Sequence, residues 1–144
     1  MAKYISIPLK EIKIDENGLH LKLKAEINGK KCHLTLDTGA SRTVFDTVKI
    51  TEYVESKPEL IEGKLSTGLG TDSMESHAVT LENFKIGKLC IKQFEAITLD
   101  LGMLNKSYQL INEDEVAGVL GSDVLKNYSA KINYEKLTLK LSVK

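Results

Sequence analysis

A mainly β domain with one or two helices is the fold class this sequence predicts, and three features predict it. Residues 19–27 alternate strictly, with Leu19, Leu21, Leu23, Ala25 and Ile27 between His20, Lys22, Lys24 and Glu26. Asn28-Gly29 follows at once, the strongest short signal for a hairpin because both positions tolerate positive φ. At the other end of the chain Leu137, Leu139, Leu141 and Val143 alternate with polar residues, the same period of two.

In chain order, the first hairpin can be registered from its turn. A two-residue loop at Asn28-Gly29 sets Ile27 opposite Lys30, Ala25 opposite Cys32, Leu23 opposite Leu34 and Leu21 opposite Leu36. Beyond the turn every apolar residue then meets an apolar partner. His20, Lys24 and His33 fall on the polar face and are expected to be solvated. The return strand ends at Leu36, so Asp37 begins the next loop.

Residues 50–62 predict a short helix or an irregular crossing, with Pro58 as a break or first-turn residue. The stretch 63–73, "GKLSTGLGTDS", holds Gly63, Gly68 and Gly70 and reads as a hairpin tip or loop. Short strands follow from His77 to Leu101, with Gly87-Lys88 as a turn. Residues 103–115 read as a short helix or extended loop. "VAGVLGSDVLKNY" predicts a buried strand running through Gly121 into a helix that starts at Ser122 or Asp123. "SAKINYEKLTLKLSVK" predicts a closing hairpin. No repeat, linker or low-complexity segment interrupts the chain, so residues 1–144 are expected to form one domain.

Composition narrows the function. The 144 residues are long enough to bury a core without staples. Twenty basic residues balance twenty acidic ones, and the lysines are interspersed with Glu and Asp. Such a chain offers no basic stripe to nucleic acid and no field for an anionic membrane. No stretch approaches the ~20 apolar residues that span a bilayer, and the first residues lack a signal-peptide core, so a cytoplasmic location is expected. Without an export signal, Cys32 and Cys90 are expected as free, buried thiols rather than a disulfide. His20, His33 and His77 form no metal-binding spacing, so neither metal nor cofactor is expected.

The chemistry gathers at Leu36-Asp37-Thr38-Gly39-Ala40-Ser41. Alone, Asp-Thr-Gly after a strand is weak, since Asp and Gly both suit turns. Here it ends a strand and is followed far downstream by Val119-Leu120-Gly121 opening a helix. That combination resembles the retropepsin-like aspartic proteases, the single-domain branch that includes the retroviral enzymes. The closer likeness is to bacterial members, in which "GVLGSDVL" and a following "KINYEKLTLKL" hairpin are typical. The resemblance spans Leu19 to Leu141. It implies a closed, barrel-like single lobe with one or two short helices. It implies Asp37 as the catalytic group, supported by Thr38, Gly39, Ala40 and Ser41. A substrate-covering flap would fall at Thr67, Gly68, Leu69 and Gly70, and Val119, Leu120 and Gly121 would be the structural motif beside the site.

Such a site needs two carboxylates. Two Asp groups sharing one space cannot both ionise cheaply, so the pair holds one proton. The ionised member then takes a proton from water while the protonated member donates to the scissile carbonyl oxygen. A short hydroxyl and a backbone N–H, from Thr38 and Gly39, would brace the carboxylates. The remaining aspartates are Asp15, Asp46, Asp72, Asp100, Asp114 and Asp123, and none precedes Thr/Ser-Gly. The second carboxylate is therefore expected from Asp37 of another copy, making a homodimer that acts on a peptide or protein substrate. A different class of function stands beside this one: a catalytically weak or inactive module that keeps the fold to bind extended peptides by strand addition or to dimerise. The intact Asp-Thr-Gly favours hydrolysis, since a binder has no chemical need of it. Retroviral members carry Arg before the helix Asp, where this chain has Ser122, so Asp123 is expected as an N-cap or structural ion-pair partner. Those enzymes also knit their dimer from N- and C-terminal strands.

Overall fold

The computed structural model describes residues 3–55, 59–60 and 77–143. Strands β3 (Leu19–Ile27) and β4 (Lys30–Leu36) form the expected hairpin, in the expected register from Ile27↔Lys30 to Leu21↔Leu36. Asn28 and Gly29 both take positive φ, 51° and 83°, as a tight turn of matching twist requires. The further strands are β1 (Lys3–Pro8), β2 (Lys10–Lys13), β5 (Val44–Asp46), β6 (Glu59–Leu60), β7 (His77–Ile86) and β8 (Leu89–Leu99). Helix α1 (Gly102–Leu110), β9 (Gly118–Leu120), α2 (Ser122–Asn127), β10 (Lys131–Asn133) and β11 (Thr138–Val143) complete the chain. Of the expected helix or crossing at 50–62, the described residues hold a 3₁₀ turn at Lys49–Glu52 and the short strand β6 at Glu59–Leu60. The glycine-rich stretch 63–73, with Thr67, Gly68, Leu69 and Gly70, lies outside the described residues.

The larger sheet runs β2-β3-β4-β9-β5-β8-β7-β6 and closes on itself where β3 also pairs with β7, at Glu26↔Lys85 and Ile27↔Phe84. Six strands, β3, β4, β9, β5, β8 and β7, thus make a barrel. Strand β9 threads between β4 and β5, parallel to the first and antiparallel to the second. Alternate residues of these strands divide between two faces. Leu34, Leu36, Phe45 and Leu120 join the barrel core, while Val44, Ile97, Leu99 and Val119 form a smaller cluster on the other face. Full burial of each such side chain contributes about 1.5–3 kcal/mol, which is why a one-residue slip of β9 is prohibited.

Gly118 shows how tightly β9 is held. A Cβ there would lie against the Val44 carbonyl oxygen and 2.7 Å from Phe45 Cδ1. Gly118→Ala is expected to lose about 1–3 kcal/mol of unfolding free energy, read by urea denaturation, because β9 cannot move without breaking two pairings. An unchanged midpoint would show that β9 has slack.

The polar face of β3 and β4 departs from expectation. Helix α1 and the segment after it pack across this face, so Lys22 is only 3% exposed. The Lys22 ammonium donates to the Asp114 carbonyl and lies 4.7 Å from the Tyr108 ring centre. Burial pushes its pKa down, against the pull of Glu113 and Asp114. His20 is not a solvated strand residue either: its Nδ1 lies 2.8 Å from the Tyr108 hydroxyl, which is 2.7 Å from Thr35 Oγ1. His33 is half-buried, and desolvation lowers its pKa. Lys24 is exposed, as expected. Both cysteines are free thiols, but only Cys32 is buried, with its pKa pushed up to about 12 by that burial. Cys90 is exposed because the strand's alternation turns Leu89 inward and its neighbour outward.

The N-terminal pairing has no local signal in the sequence. Strand β1 lies antiparallel to β11 from Lys3↔Val143 to Pro8↔Thr138, and β10 completes a three-stranded sheet. Among the described residues, no helix is long and apolar enough to cross a membrane.

Candidate active site

Asp37 follows the last residue of β4, and its N–H donates to the Leu120 carbonyl of β9 at 3.0 Å. The chain then turns, with Ala40 N–H donating to the Asp37 carbonyl at 3.2 Å. Gly39 N–H donates to Asp37 Oδ1 at 2.8 Å, fixing the carboxylate against its own loop. A Cβ on Gly39 would stand 3.2 Å from that oxygen, so a bare backbone suits the position. Asp37, Thr38, Gly39 and Ser41 are exposed and Ala40 is half-buried.

β9 and α2 hold this loop from below. Ser122 N–H donates to the Ala40 carbonyl and its Oγ to the Thr38 carbonyl, each at 2.7 Å. The expected bracing by Gly39 is present. No bond of the Thr38 hydroxyl to Asp37 is among the described contacts, and the carbonyl of Thr38 is what ties it down. Gly121 packs so closely that a Cβ would meet Arg42 C and O at 2.7 Å and Ala40 O at 2.8 Å. Val119, Leu120 and Gly121 therefore lie beside the Asp37 loop, through backbone contacts that only a small residue at 121 permits.

Thr43 and Asp123 form a clamp that no local motif announces. Thr43 is fully buried; its hydroxyl donates to Asp123 Oδ1 at 2.8 Å and accepts from Gly121 N–H at 3.0 Å. Thr43 N–H donates to the same Oδ1 at 2.9 Å, as does Val124 N–H. Asp123 is thus not the N-cap, a place Gly121 takes, and makes no ion pair among the described residues; its carboxylate, in the first turn, anchors the far end of the Asp37 loop. Asp46, a buried carboxylate, accepts from Leu101, Val48 and Lys49 N–H groups. It fastens the start of α1 to β5, where Leu101 and Leu104 pack on the apolar cluster that also borders Ala40.

Chemically the loop presents one exposed carboxylate with one oxygen oriented by an N–H and with open space around it. Among the described residues no other carboxylate shares a hydrogen bond with it, and no group of His, Cys, Asp or Glu is placed to hold a metal. An open groove of about 1150 Å³ lies elsewhere, lined by Lys22, Cys32, His33 and Tyr53 among others, and contains no residue of the 37–43 loop. Its size reflects the gap between β1 and the first hairpin.

A family model described as aspartyl protease matches residues 23–124, which takes in both the Asp37 loop and the β9–α2 junction. No curated protein matches the chain. Among solved structures, a retropepsin-like aspartic protease from Rickettsia conorii superimposes with a TM-score of 0.62 at 19% identity, over 99% of this chain and 92% of that one. The retroviral protease-like domain of Ddi1 from Leishmania major gives 0.57 at 13% identity, over 85% and 87%. EIAV protease, complexed with the inhibitor HBY-793, gives 0.55 at 18% identity, over 85% and 99%. With the six-stranded barrel, the β9 crossing and the matched motifs in agreement, the chain belongs to the aspartyl protease family and has its retropepsin-like fold.

Proposed function

We propose that this chain is an aspartic endopeptidase that works as a homodimer, with the Asp37 carboxylates of two copies meeting at a two-fold axis. The observation that carries the reading is a single clamped carboxylate facing outward: Asp37 is held by Leu120 and Gly39 yet exposed. A lone carboxylate is a proton acceptor without an acid beside it. Two of them in one space share a proton, and each then has a distinct part. The ionised member removes a proton from a water lying between them; the protonated member donates to the carbonyl oxygen of the peptide as the water attacks. The newly protonated carboxyl then donates to the leaving nitrogen while its ionised partner takes a proton back from one hydroxyl of the diol, which breaks the C–N bond, forms the new carboxyl group and returns the pair to its starting state. The peptide substrate lies extended across the exposed loop, and Thr67, Gly68, Leu69 and Gly70 serve as the cover that excludes water. Residues 1–144 act as one lobe of the dimer.

Specific activity per chain is the test. Serial dilution, followed by light scattering and by cleavage of a quenched peptide library, should lower activity in step with the dimer population. Full activity in a strictly monomeric sample would overturn the shared site.

A further inference from the structure

Arg42 is the chain's only arginine; the other nineteen basic residues are lysines. It stands on the same loop as Asp37, is exposed, and makes no ion pair among the described residues. Its backbone is nonetheless among the best fixed in the loop. Gly121 presses against its carbonyl, and the next residue, Thr43, is buried and bound to Asp123. A pinned backbone carrying a free guanidinium is a positioned cation. Thr43 turns into the protein, whereas Arg42, Ser41, Gly39, Thr38 and Asp37 of the same loop are each exposed. Beside it lies the apolar cluster of Val44, Val119 and Ile97, with Ala40 at its margin.

We infer that Arg42 is a specificity-determining residue that receives an acidic side chain, Asp or Glu, of the bound peptide close to the scissile bond. The inference rests on the hydrolytic reading of Asp37. An extended peptide rises about 3.3 Å per residue, so side chains a few positions from the bond at Asp37 pass over the end of this loop. A guanidinium meets a carboxylate with two parallel N–H donors, a geometry the lysines elsewhere on this chain cannot offer. Arg42 takes no part in the proton transfers; it selects which peptide is presented to them.

The experiment uses the wild-type chain of residues 1–144, Arg42→Gln and Arg42→Glu, with peptides that differ only in carrying Glu, Gln or Lys at successive positions around one cleavage point. Cleavage is read as kcat/KM, and capture by anisotropy on an Asp37→Asn background. Wild type should favour Glu over Gln at one position by about tenfold or more, the advantage shrinking as salt rises. Arg42→Gln should erase the preference and Arg42→Glu should turn it toward Lys. Cleavage indifferent to charge, or a preference that survives Arg42→Gln, overturns the assignment and leaves the hydrolytic reading standing. Charge-dependent capture without any turnover upholds Arg42 and sinks that reading; neither capture nor cleavage of any peptide overturns both. Dimer dissociation in Arg42→Gln with selectivity intact would assign the guanidinium to the subunit contact instead and overturn the inference.

Discussion

An Asp37→Asn chain is expected to lose at least about a hundredfold in peptide cleavage while keeping its fold and its dimer. Asn retains an oxygen at Oδ1 to accept the Gly39 N–H, so the loop keeps its internal bond. What disappears is the group that removes a proton from water. The proposed sharing of the site between two copies gives this result a second, sharper form. If wild type and variant chains are mixed and allowed to exchange at constant total concentration, activity should follow the square of the wild-type fraction. A linear decline would mean that each chain works alone, and undiminished activity in the pure variant would sink the assignment of Asp37.

The second large effect is expected at Asp123, which has no hydrogen bond to Asp37 among the described contacts. Its Oδ1 accepts from Thr43 N–H, Thr43 Oγ and Val124 N–H. Asp123→Ala leaves the buried Thr43 N–H without a partner and removes two further bonds to a charged acceptor. The expected loss is roughly 2–4 kcal/mol of unfolding free energy by urea denaturation. Asp123→Asn keeps an acceptor oxygen and should cost less, about 1 kcal/mol. Because the clamp sets the end of the Asp37 loop, cleavage by surviving Asp123→Ala dimers should fall as well. A displacement near 1 Å in a reacting group can cost about a hundredfold. If both variants unfold within about 0.5 kcal/mol of wild type, the clamp contributes nothing and the loop is held by Ser122 and Gly121 alone.

The two predictions differ in how visible they were beforehand. Asp37 is legible because its signal is local: a strand with a fixed register ends at Leu36, and the residues that follow it are distinctive. The β9–α2 junction is legible for the same reason, since Val119-Leu120-Gly121 passes from an apolar run into a helix start. The Thr43–Asp123 bond joins residues eighty positions apart. Each partner alone looks like an ordinary loop Thr and an ordinary helix-start Asp, and no periodicity connects them.

The same distinction explains the misplacements. Alternation in β3 correctly separates its two faces, but it cannot say what covers the second. Helix α1 does, so Lys22 and His20 lie beneath Tyr108 rather than in water. In β8 the alternation itself was decisive: Leu89 turns in and Cys90 out, against the expectation that both cysteines are buried. The pairing of β1 with β11 joins the two ends of the chain. Both terminal strands are thereby engaged within the one chain.

From the sequence alone come the β class, the hairpin register, the Asp37 loop and the need for a second carboxylate, each resting on neighbours a few residues apart. Tertiary structure decided which faces are covered and what clamps the loop. Those depend on contacts between distant segments, where burial and hydrogen bonding are settled by what packs together rather than by what comes next in the chain.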